Sequence, residues 1–386
     1  MSLYELAILG DATPAERARL QQTIEEMAGA FGLAVGSDVM IHDGNSISRR
    51  DIRAATAAVY FGGTTQADTD AVRELVRASQ PIIPTIPVSS DFSALVPDFL
   101  QGFNGFHRHK DDAEMKELAA ALLECVGLLR RQRRVFVSYR RAEARAAALQ
   151  LHDSLSARGF DVFLDTHDIR PSDPFQEVLW HRLCDSDVMV MLDTPTYFES
   201  KWTRQEIGRA RAKEIHVLRV VWPEHKPSKL TDMAETIYLD TKELEGPDGP
   251  IEKTTVERIA LGVEGLRSRS IASRYMSITG KLRADIERIG AKFEGIGAHR
   301  AIAVRLINNR KIWAYPVVGI PTAETLYDVA EKTSRANLRE TPILIYDHVG
   351  IRDAWSEHLK WLDENIKAVR AIKVAEAGWV LAGWEE

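Results

Sequence analysis

The sequence predicts an α/β protein in which helices pack on parallel sheets. Short apolar runs of strand length recur along the chain, each bounded by polar or turn residues, as in VFVSYRR, GFDVFLD and DSDVMVMLD. Segments with helical periodicity lie between these runs, so that strands and helices alternate. With 386 residues, 45% of them hydrophobic, the chain is long enough for two or three domains that each bury a core.

Charge, cysteine content and hydropathy predict a cytoplasmic protein. The formal net charge of -6 gives no sign of a nucleic-acid or membrane partner. Cys125 and Cys184 lie in apolar, helix-like surroundings, so we expect a reducing compartment and no disulfide framework. The first residues lack the basic region of a signal peptide, and no apolar run is long enough to span a bilayer.

The first region, residues 1–129, is expected to form a small α/β domain. Thr13 to Glu16 reads as a capping box with proline at the first helical position, and the helix should run to about Phe31. The order βαβαβαβ predicts a flavodoxin-like sheet. The strands are expected at 3–9, 39–41, 57–61 and 82–86, and the further helices at 48–56, 66–79 and 112–129.

Two polar segments, one in the first region and one in the linker that follows it, have a structural and a functional interpretation. Gly62 to Thr65 follows a strand and has the composition of an anion-binding loop, but a turn with a helix cap is the commoner use of these residues. The basic run Arg130 to Arg134 is expected to be the solvated end of a helix, because cations favour helix C-termini. A contact with nucleic acid or with an acidic partner is the alternative.

The second region, residues 133–240, carries most of the candidate chemistry. Strands are expected at 135–139, 160–164, 188–192 and 217–222. Parallel strands end at one edge of their sheet, which should collect Arg140, Asp165 and Ser200 where open sheets bind ligands. The sequence has no His/Cys set with metal-ligand spacing, no Walker loop and no G-x-G-x-x-G fingerprint, so we expect neither a metal site nor a Rossmann dehydrogenase.

A tryptophan and a glutamate share one face of the helix that follows Ser200. Trp202 and Glu206 are four residues apart, the spacing of neighbours on a helix surface. An indole can pack on a ring, while a carboxylate can bind ribose hydroxyls and stabilise an oxocarbenium-like centre. An amphipathic helix often carries such a pair for packing alone, so the pair leaves both interpretations open.

The ordered motifs VFVSYRR, GFDVFLD, DSDVMVMLDTPTYFESKWTRQE and LRVVW together resemble the Toll/interleukin-1 receptor (TIR) domain. The resemblance covers residues 133–240 and neither end of the chain. Many bacterial TIR domains, and the animal axon-degeneration TIR enzyme, cleave NAD⁺ at the nicotinamide–ribose bond. Their essential glutamate lies four residues after a tryptophan and follows a serine-containing turn. Ser200, Trp202 and Glu206 match that pattern, which implies a catalytic Glu206.

The resemblance also implies roles for other residues of the region. Arg140 and Arg141 match paired arginines that can contact phosphate, and Phe163 and Asp165 match the strand end that meets nicotinamide. Thr166 to Pro174 corresponds to the BB loop, which gates the site and joins neighbouring TIR domains. Thr203 departs from the family, which frequently has cysteine there. The central BB-loop residues are Asp168, Ile169, Arg170 and Pro171.

The third region, residues 251–386, is expected to be an α/β or α+β regulatory or assembly domain. Helices are expected at 255–266 and 276–289, separated at residues 268–270. Strands at 301–307 and 312–318 should pair across the Asn308-Asn309 turn. Further strands are expected at 342–346, 372–375 and 379–382, with a helix at 353–369. Four tryptophans near the end, which could form an assembly surface or pack in the core, are Trp355, Trp361, Trp379 and Trp384.

These features predict an NAD⁺ glycohydrolase that forms nicotinamide and either ADP-ribose or a cyclic isomer. NAD⁺ would be the substrate, with no further cofactor. The enzyme would act in bacterial antiphage defence or cell suicide, as a homo-oligomer joined through TIR domains. Residues 1–129, a TIR-like or sensor domain, and the third region would respond to an activating small molecule or protein. The alternatives are a non-enzymatic TIR scaffold and a regulator that binds NAD⁺ without cleaving it.

Overall fold

The computed structural model describes residues 2–88, 90–108, 112–128, 133–164, 175–199, 201–338 and 340–384. The chain divides into two compact units. The first unit comprises Met1–Leu129, Ala272–His348 and Asp353–Glu386, and the second comprises Arg130–Ile271 with Val349–Arg352. Three five-stranded sheets, two of them wholly parallel, confirm the predicted α/β class.

The first sheet has the flavodoxin-like strand order that the sequence predicts. Its strands run in the order β2-β1-β3-β4-β5, and all neighbours are parallel. The predicted capping box is present, because the Thr13 side chain accepts from the Glu16 backbone N–H and Glu16 accepts from the backbone of Thr13. The elements are β1 (Tyr4–Gly10), α1 (Pro14–Gly29), β2 (Val39–His42), β3 (Ala55–Phe61), α2 (Thr69–Arg77), β4 (Ile82–Pro87), α3 (Phe92–Leu95), β5 (Phe106–Arg108) and α4 (Asp112–Cys125).

The predicted helix at 48–56 is wrong. Only a single 3₁₀ turn, Ile47–Arg49, forms there, and the chain enters β3 at Ala55. The predicted helix overlaps β3 only at Ala55 and Thr56, and the strand predicted at 57–61 lies within β3 and is confirmed. All seven residues of β3 are buried, so burial in the sheet has overridden the helix propensity of Ala55.

The second unit contains the second sheet, which has the same flavodoxin-like order as the first. Its strands run β10-β9-β8-β6-β7, all parallel. The predicted strands and helices of this region are present, with β10 as an additional edge strand. The elements are β6 (Arg134–Ser138), α5 (Arg141–Ser156), β7 (Asp161–Leu164), α6 (Phe175–Asp185), β8 (Val188–Asp193), α7 (Lys201–Ala212), β9 (His216–Val221) and β10 (Glu235–Tyr238). They are followed by α8 (Lys253–Arg288), whose residues up to Ile271 belong to this unit and whose later residues belong to the first.

The two faces of the second sheet bury different clusters of apolar side chains. Val135 and Val137 of β6 belong to a cluster shared with α5 and with residues 256–266 of α8. Phe136, between them, belongs to a cluster on the opposite face, which is shared with α6 and α7. Side chains alternate along a strand, so Ser138 lies on the α6/α7 face together with Phe136.

Helix α8 is continuous over 36 residues, so the predicted break at residues 268–270 is wrong. Ser268 and Ser270 are buried. The preceding Arg267 is completely buried, and its guanidinium pairs with Asp187 at 3.3 Å and with Glu264 at 3.4 Å. The solvated interpretation of the basic run is also wrong for Arg133, which is buried and forms an ion pair with Glu264. Ionic partners from distant parts of the chain explain both errors.

The third sheet, in the first unit, mixes antiparallel and parallel pairs. Strands β11, β12 and β13 are antiparallel neighbours, and β13, β14 and β15 are parallel neighbours. The hairpin across Asn308-Asn309 is confirmed. The elements are β11 (Lys292–Ile296), β12 (Ile302–Arg305), β13 (Lys311–Val317), α9 (Ala323–Arg335), β14 (Ile343–Tyr346), α10 (Asp353–Asn365), β15 (Arg370–Lys373) and α11 (Ala377–Ala382).

The end of the chain differs from the predicted strand at 379–382, because these residues lie in α11. Leu381 and Trp384 are buried, whereas Trp379 and Trp361 are largely exposed, so the tryptophans do not act as one group. Both cysteines are buried and neither is in a disulfide. Among the described residues, no helix is long and apolar enough to cross a membrane.

Candidate functional site

The candidate site lies where the strands of the second sheet reach their C-terminal ends. Ser138 is the last residue of β6, and the segment 194–199 follows β8. Helix α7 begins immediately afterwards at Lys201. The carboxyl edge of an open parallel sheet is where α/β proteins bind ligands, because loops from several strands converge there.

Glu206 is buried in α7 and is held by a chain of hydroxyl groups. Its side chain accepts a hydrogen bond from Ser138 Oγ at 2.5 Å, and Ser138 Oγ lies 2.6 Å from the Tyr197 hydroxyl. A serine hydroxyl has one proton, so Tyr197 donates to Ser138 when Ser138 donates to Glu206. Glu206 is 6% exposed, so this relay works in a largely dehydrated environment.

Burial keeps the outer hydroxyl of the relay protonated. Burial and then the negative charge of Glu206 raise the pKa of Tyr197 well above its usual value. Tyr197 therefore keeps its proton across the physiological pH range and remains a donor to Ser138.

The segment that carries Tyr197 is anchored to α7. Thr203 Oγ1 donates to the Tyr197 carbonyl oxygen at 2.9 Å, and Arg204 Nε donates to the Phe198 carbonyl oxygen at 3.0 Å. Thr203 is the position at which the sequence departs from the common family pattern. Its hydroxyl makes a structural hydrogen bond here, so the departure is compatible with an ordered site.

The same segment is also anchored to the start of α5. Arg140 donates to the Thr196 carbonyl oxygen and pairs with Glu199 at 2.9 Å. The Thr196 backbone N–H donates to Glu143 at 3.2 Å. Arg141, the other predicted phosphate contact, is the first residue of α5 and is exposed. A phosphate contact by either arginine stays a prediction.

Phe163 lies beneath the site, within the apolar cluster of the α6/α7 face. Its ring stacks on Phe136 with centroids 5.3 Å apart, and it is 5% exposed. Tyr197 and Ile207 belong to the same cluster. Phe163 therefore helps to support the site from below, and a direct contact with substrate stays a prediction.

Several predicted site residues lie outside the described part of the chain. These include Asp165, Ser200 and the whole BB loop, so their predicted roles are unchanged. Trp202 lies in the first turn of α7, four residues before Glu206, and the helical backbone therefore gives both residues the same face. The BB-loop residues concerned are Asp168, Ile169, Arg170 and Pro171.

Sequence reasoning missed the contributions of Ser138, Tyr197 and Asp193. Asp193 is completely buried, and His225 Nε2 lies 3.2 Å from its carboxylate. Burial raises the pKa of Asp193, although the positive charge of His225 acts in the opposite direction. The available signal was a serine at the end of an otherwise apolar strand, VFVS, and an aspartate at the end of VMVMLD.

The loop at residues 62–65, considered above as a possible anion site, binds the side chain of Asp11. The Asp11 carboxylate accepts hydrogen bonds from the backbone N–H groups of Thr65 at 2.8 Å and Ala67 at 3.2 Å. The turn interpretation of this loop therefore holds. Among the described residues, no group of three or more His, Cys, Asp or Glu could hold a metal ion.

Comparisons with known proteins identify the second region. A family model described as TIR domain matches residues 135–253. No curated protein matches the chain. Among solved structures, the Clostridium botulinum CMP N-glycosidase BcmB is 16% identical with a TM-score of 0.25, and the match covers 33% of this chain and 98% of that one.

Two further solved structures match most of the chain at low similarity. Tagatose-6-phosphate ketose/aldose isomerase from Escherichia coli is 12% identical with a TM-score of 0.20, covering 71% of this chain and 82% of that one. The C-terminal domain of glucosamine-fructose-6-phosphate aminotransferase from Francisella tularensis is 10% identical with a TM-score of 0.20, covering 70% and 84%. These TM-scores are too low to support an inference about activity.

Proposed function

Because residues 135–253 form a TIR domain, we propose that this chain is an NAD⁺ glycohydrolase with Glu206 as its catalytic residue. One observation carries the proposal: a buried carboxylate, held by the relay from Tyr197 through Ser138, lies beside the ligand-binding edge of the sheet. A buried glutamate that is oriented by hydroxyl donors is suited to stabilise a developing positive charge.

The reaction needs no strong base, because NAD⁺ already carries a good leaving group. The bond between the ribose C1′ and the nicotinamide nitrogen breaks, and its electron pair leaves with neutral nicotinamide. The ribose acquires oxocarbenium character, which the Glu206 carboxylate stabilises while it binds ribose hydroxyls. Attack by water then forms ADP-ribose and releases one proton. Attack by an adenine or ribose group of the same molecule would form a cyclic isomer.

The relay gives Glu206 a defined role in this scheme. The Ser138 hydroxyl fixes the orientation of the Glu206 carboxylate. Glu206 would act as an electrostatic stabiliser and hydroxyl acceptor, because the reaction needs no strong base. Ser138 and Tyr197 are positioning residues, because they act on the reaction through the orientation of Glu206.

The remaining site residues would bind the rest of NAD⁺. Trp202, one helical turn before Glu206, would pack on a ring of the substrate, and Asp165 and Ser200 would line the nicotinamide side. Arg140 already pairs with Glu199, so binding of a substrate phosphate would require the phosphate to displace that exposed carboxylate. Arg141 would provide a second cation for the pyrophosphate.

Self-association and a defence role complete the proposal. The BB loop, which contains Asp168 to Pro171, would join TIR domains of neighbouring copies, and the first and third regions would control that association. Cleavage of NAD⁺ would deplete the cell or create a nucleotide signal, as expected in cytoplasmic antiphage defence. Turnover should then rise more steeply than in proportion to enzyme concentration, and light scattering should detect assemblies at the active concentrations.

The test is the release of nicotinamide by the purified full-length chain, at low and high protein concentration. Glu206→Gln keeps the size of the side chain and removes its charge. We expect this variant to lose activity by about 100-fold or more, a range typical for the loss of transition-state electrostatics. Glu214→Gln is the matched control, because Glu214 is an exposed glutamate just beyond the end of α7. Chromatography of the products distinguishes ADP-ribose from a cyclic isomer.

A non-enzymatic scaffold is the second candidate function. It is favoured by the same burial, because a glutamate that is 6% exposed and already hydrogen-bonded can serve packing alone. The scaffold predicts that Glu206→Gln leaves association intact, whereas changes at Ile169 to Pro171 abolish it. No nicotinamide would then form at any protein concentration. The remaining alternative, a regulator that binds NAD⁺ without cleaving it, predicts tight binding of NAD⁺ and no turnover.

A further inference from the structure

The second unit contains a pocket that is separate from Glu206. Its volume is about 720 Å³, within the range of small-molecule sites. Segments that follow β6, β8, β9 and β10 line it, so it opens at the carboxyl edge of the sheet. Among the described residues, neither Glu206 nor its partners Ser138 and Tyr197 line this pocket.

The pocket is lined by apolar ring surfaces. Trp222 lies at its wall and belongs to the apolar cluster of the face opposite Glu206. The indole N–H of Trp222 donates to the Pro247 carbonyl oxygen at 2.9 Å, so its polar group is satisfied by the wall itself. Trp222 is 6% exposed, so a ligand can contact only the small part of its ring that faces the pocket. Pro195, Pro223 and Leu244 extend this apolar lining.

The charged side chains that line the pocket are all acidic. Glu143, Glu224 and Asp248 line it, and none of the described lining residues is basic. Burial raises the pKa of Glu143, but hydrogen bonds from Thr194 and Thr196 outweigh burial and lower it. Glu143 is therefore ionised at neutral pH. Glu224 and Asp248 are exposed, which places two further carboxylates at the rim.

The pocket is preformed, because one of its walls is fastened to α5. The Ala147 backbone N–H donates to the Asp248 carbonyl oxygen at 3.2 Å. Gln150 and Ile251 exchange two hydrogen bonds, each of 2.7 Å, between the Gln150 amide and the Ile251 backbone. Gly249 packs so closely that an added Cβ would lie 2.8 Å from the Ala147 nitrogen. A wall fixed in this way loses little conformational entropy when a ligand binds.

We propose that this pocket binds an organic cation that carries a flat ring, such as an aromatic amine or a quaternary ammonium compound. The cationic group would lie near the three carboxylates, and the ring or methyl groups would pack on Trp222 and the prolines. Tryptophan is the best side chain for cation–π contact, and such contacts strengthen where water is excluded. An anionic ligand would meet three like charges, although Arg140, which is not a lining residue, helps to lower the pKa of Glu143 and partly offsets its charge.

This site goes beyond the proposed cleavage of NAD⁺, because it uses none of the residues that the reaction needs. Pro195 lines the pocket, and Tyr197 of the same segment holds Ser138. The two sites therefore occupy different sides of one short loop. The binding test can be done without any measurement of activity, so the two proposals can fail independently.

The test uses benzyltrimethylammonium as the probe in isothermal titration calorimetry of the full-length chain. We expect saturable binding of one cation per chain, weaker at high salt because the attraction is partly between exposed charges. Phenylacetate, which has a similar ring and the opposite charge, should show no saturable binding. A Glu206→Gln chain should bind the probe as tightly as the unaltered chain.

Two variants of exposed pocket residues test the assignment without disturbing the core. Glu224→Gln combined with Asp248→Asn should weaken binding by about three- to tenfold, as expected for the loss of two exposed charges. Ala142→Leu should fill the pocket and abolish saturable binding while it leaves every carboxylate in place. Asp232→Asn, an exposed carboxylate outside the pocket, is the matched control and should change nothing.

Three results would overturn the proposal. The first is the absence of saturable binding to the unaltered chain. The second is binding that survives both pocket variants unchanged, or that phenylacetate reproduces. The third is loss of binding in Glu206→Gln alone, which would assign the cation to the NAD⁺ site. Circular dichroism and thermal unfolding of each variant identify any that fail to fold, and the remaining variant then decides.

Discussion

Substitution of Ser138 by alanine tests whether the hydroxyl relay prepares Glu206 for catalysis. Ser138 links the Tyr197 hydroxyl to Glu206 through oxygen–oxygen distances of 2.6 and 2.5 Å. The alanine variant removes one oxygen atom from a buried strand end and leaves the neighbouring Phe136 in place. Glu206 would then lose a donor that fixes the orientation of its carboxylate.

The expected loss of activity follows from the type of hydrogen bond. A bond to a charged group contributes about 1.5–3 kcal/mol. If most of this is lost in the transition state, kcat/KM for NAD⁺ should fall by about 10- to 150-fold. The effect should fall mainly on kcat, because the positive charge that the carboxylate stabilises develops on the ribose only in the transition state.

The assay is the initial rate of nicotinamide release over a range of NAD⁺ concentrations. Ser138→Thr keeps a hydroxyl at this position and should recover much of the activity. Tyr197→Phe removes the outer donor only, and a loss of about threefold to tenfold is expected for a neutral hydrogen bond. Thermal unfolding of each variant separates lost catalysis from lost folding.

Either of two results would contradict a role of the Ser138 hydroxyl in orienting Glu206. If Ser138→Ala turns over NAD⁺ like the unaltered chain while Glu206→Gln is inactive, Glu206 does not depend on the hydroxyl for its orientation. A fall in activity that Ser138→Thr fails to reverse would also count against the relay, provided that the threonine variant is folded.

Three further predictions concern stability. Arg267→Met removes the cation that pairs with buried Asp187 and should lower the free energy of unfolding by about 3–5 kcal/mol in urea titrations. A loss below about 1 kcal/mol, the upper range for exposed ion pairs, would contradict the buried pair. Burial, followed by nearby arginines, lowers the pKa of His181 from 6.5 to about 4. Its contribution to stability is present above pH 6.5 and is lost as the pH falls towards 4, so His181→Gln should flatten the acid side of the stability profile by up to about 3 kcal/mol; an unchanged profile would refute this. Gly249→Ala should lower the free energy of unfolding, because Gly249 has φ +98° and packs against backbone. Gly280→Ala, in open space within α8, should raise the free energy of unfolding by about 0.5–1 kcal/mol. The opposite order in thermal unfolding would contradict the packing of Gly249.

The TIR domain could be predicted because its signals are local. Each strand is a short apolar run, and Trp202 and Glu206 are placed on one helix face by their spacing alone. The hydroxyl relay needs more than local signals, because Ser138 and Tyr197 are 59 positions apart. A serine at a strand end has many possible uses, and only the fold decides which side chain it meets.

The errors in the prediction have a common physical cause. Residues 268–270 look like a loop because they are polar, yet α8 continues because Arg267 finds buried acidic partners. Arg133 looks solvated because its neighbours are basic, yet it is buried against Glu264. In both places a distant opposite charge determines the environment, and such a partner leaves no periodic trace in the sequence.

The cation pocket could not have been predicted for a related reason. Its walls come from segments that follow four different strands, and the distance along the chain from Glu143 to Asp248 spans most of the TIR domain. Prolines, a tryptophan and scattered carboxylates have ordinary structural uses in each segment alone. Only the strand order of the sheet brings them to one place.

The most direct test of the central claim is NAD⁺ cleavage by the full-length chain at high protein concentration, with Glu206→Gln and Glu214→Gln measured beside it. The account predicts that nicotinamide forms in the unaltered chain and in Glu214→Gln, and that Glu206→Gln forms almost none. Equal nicotinamide release by all three proteins would contradict a catalytic Glu206. The absence of release from all three, under conditions in which light scattering shows TIR assemblies, would contradict the enzyme and favour the scaffold.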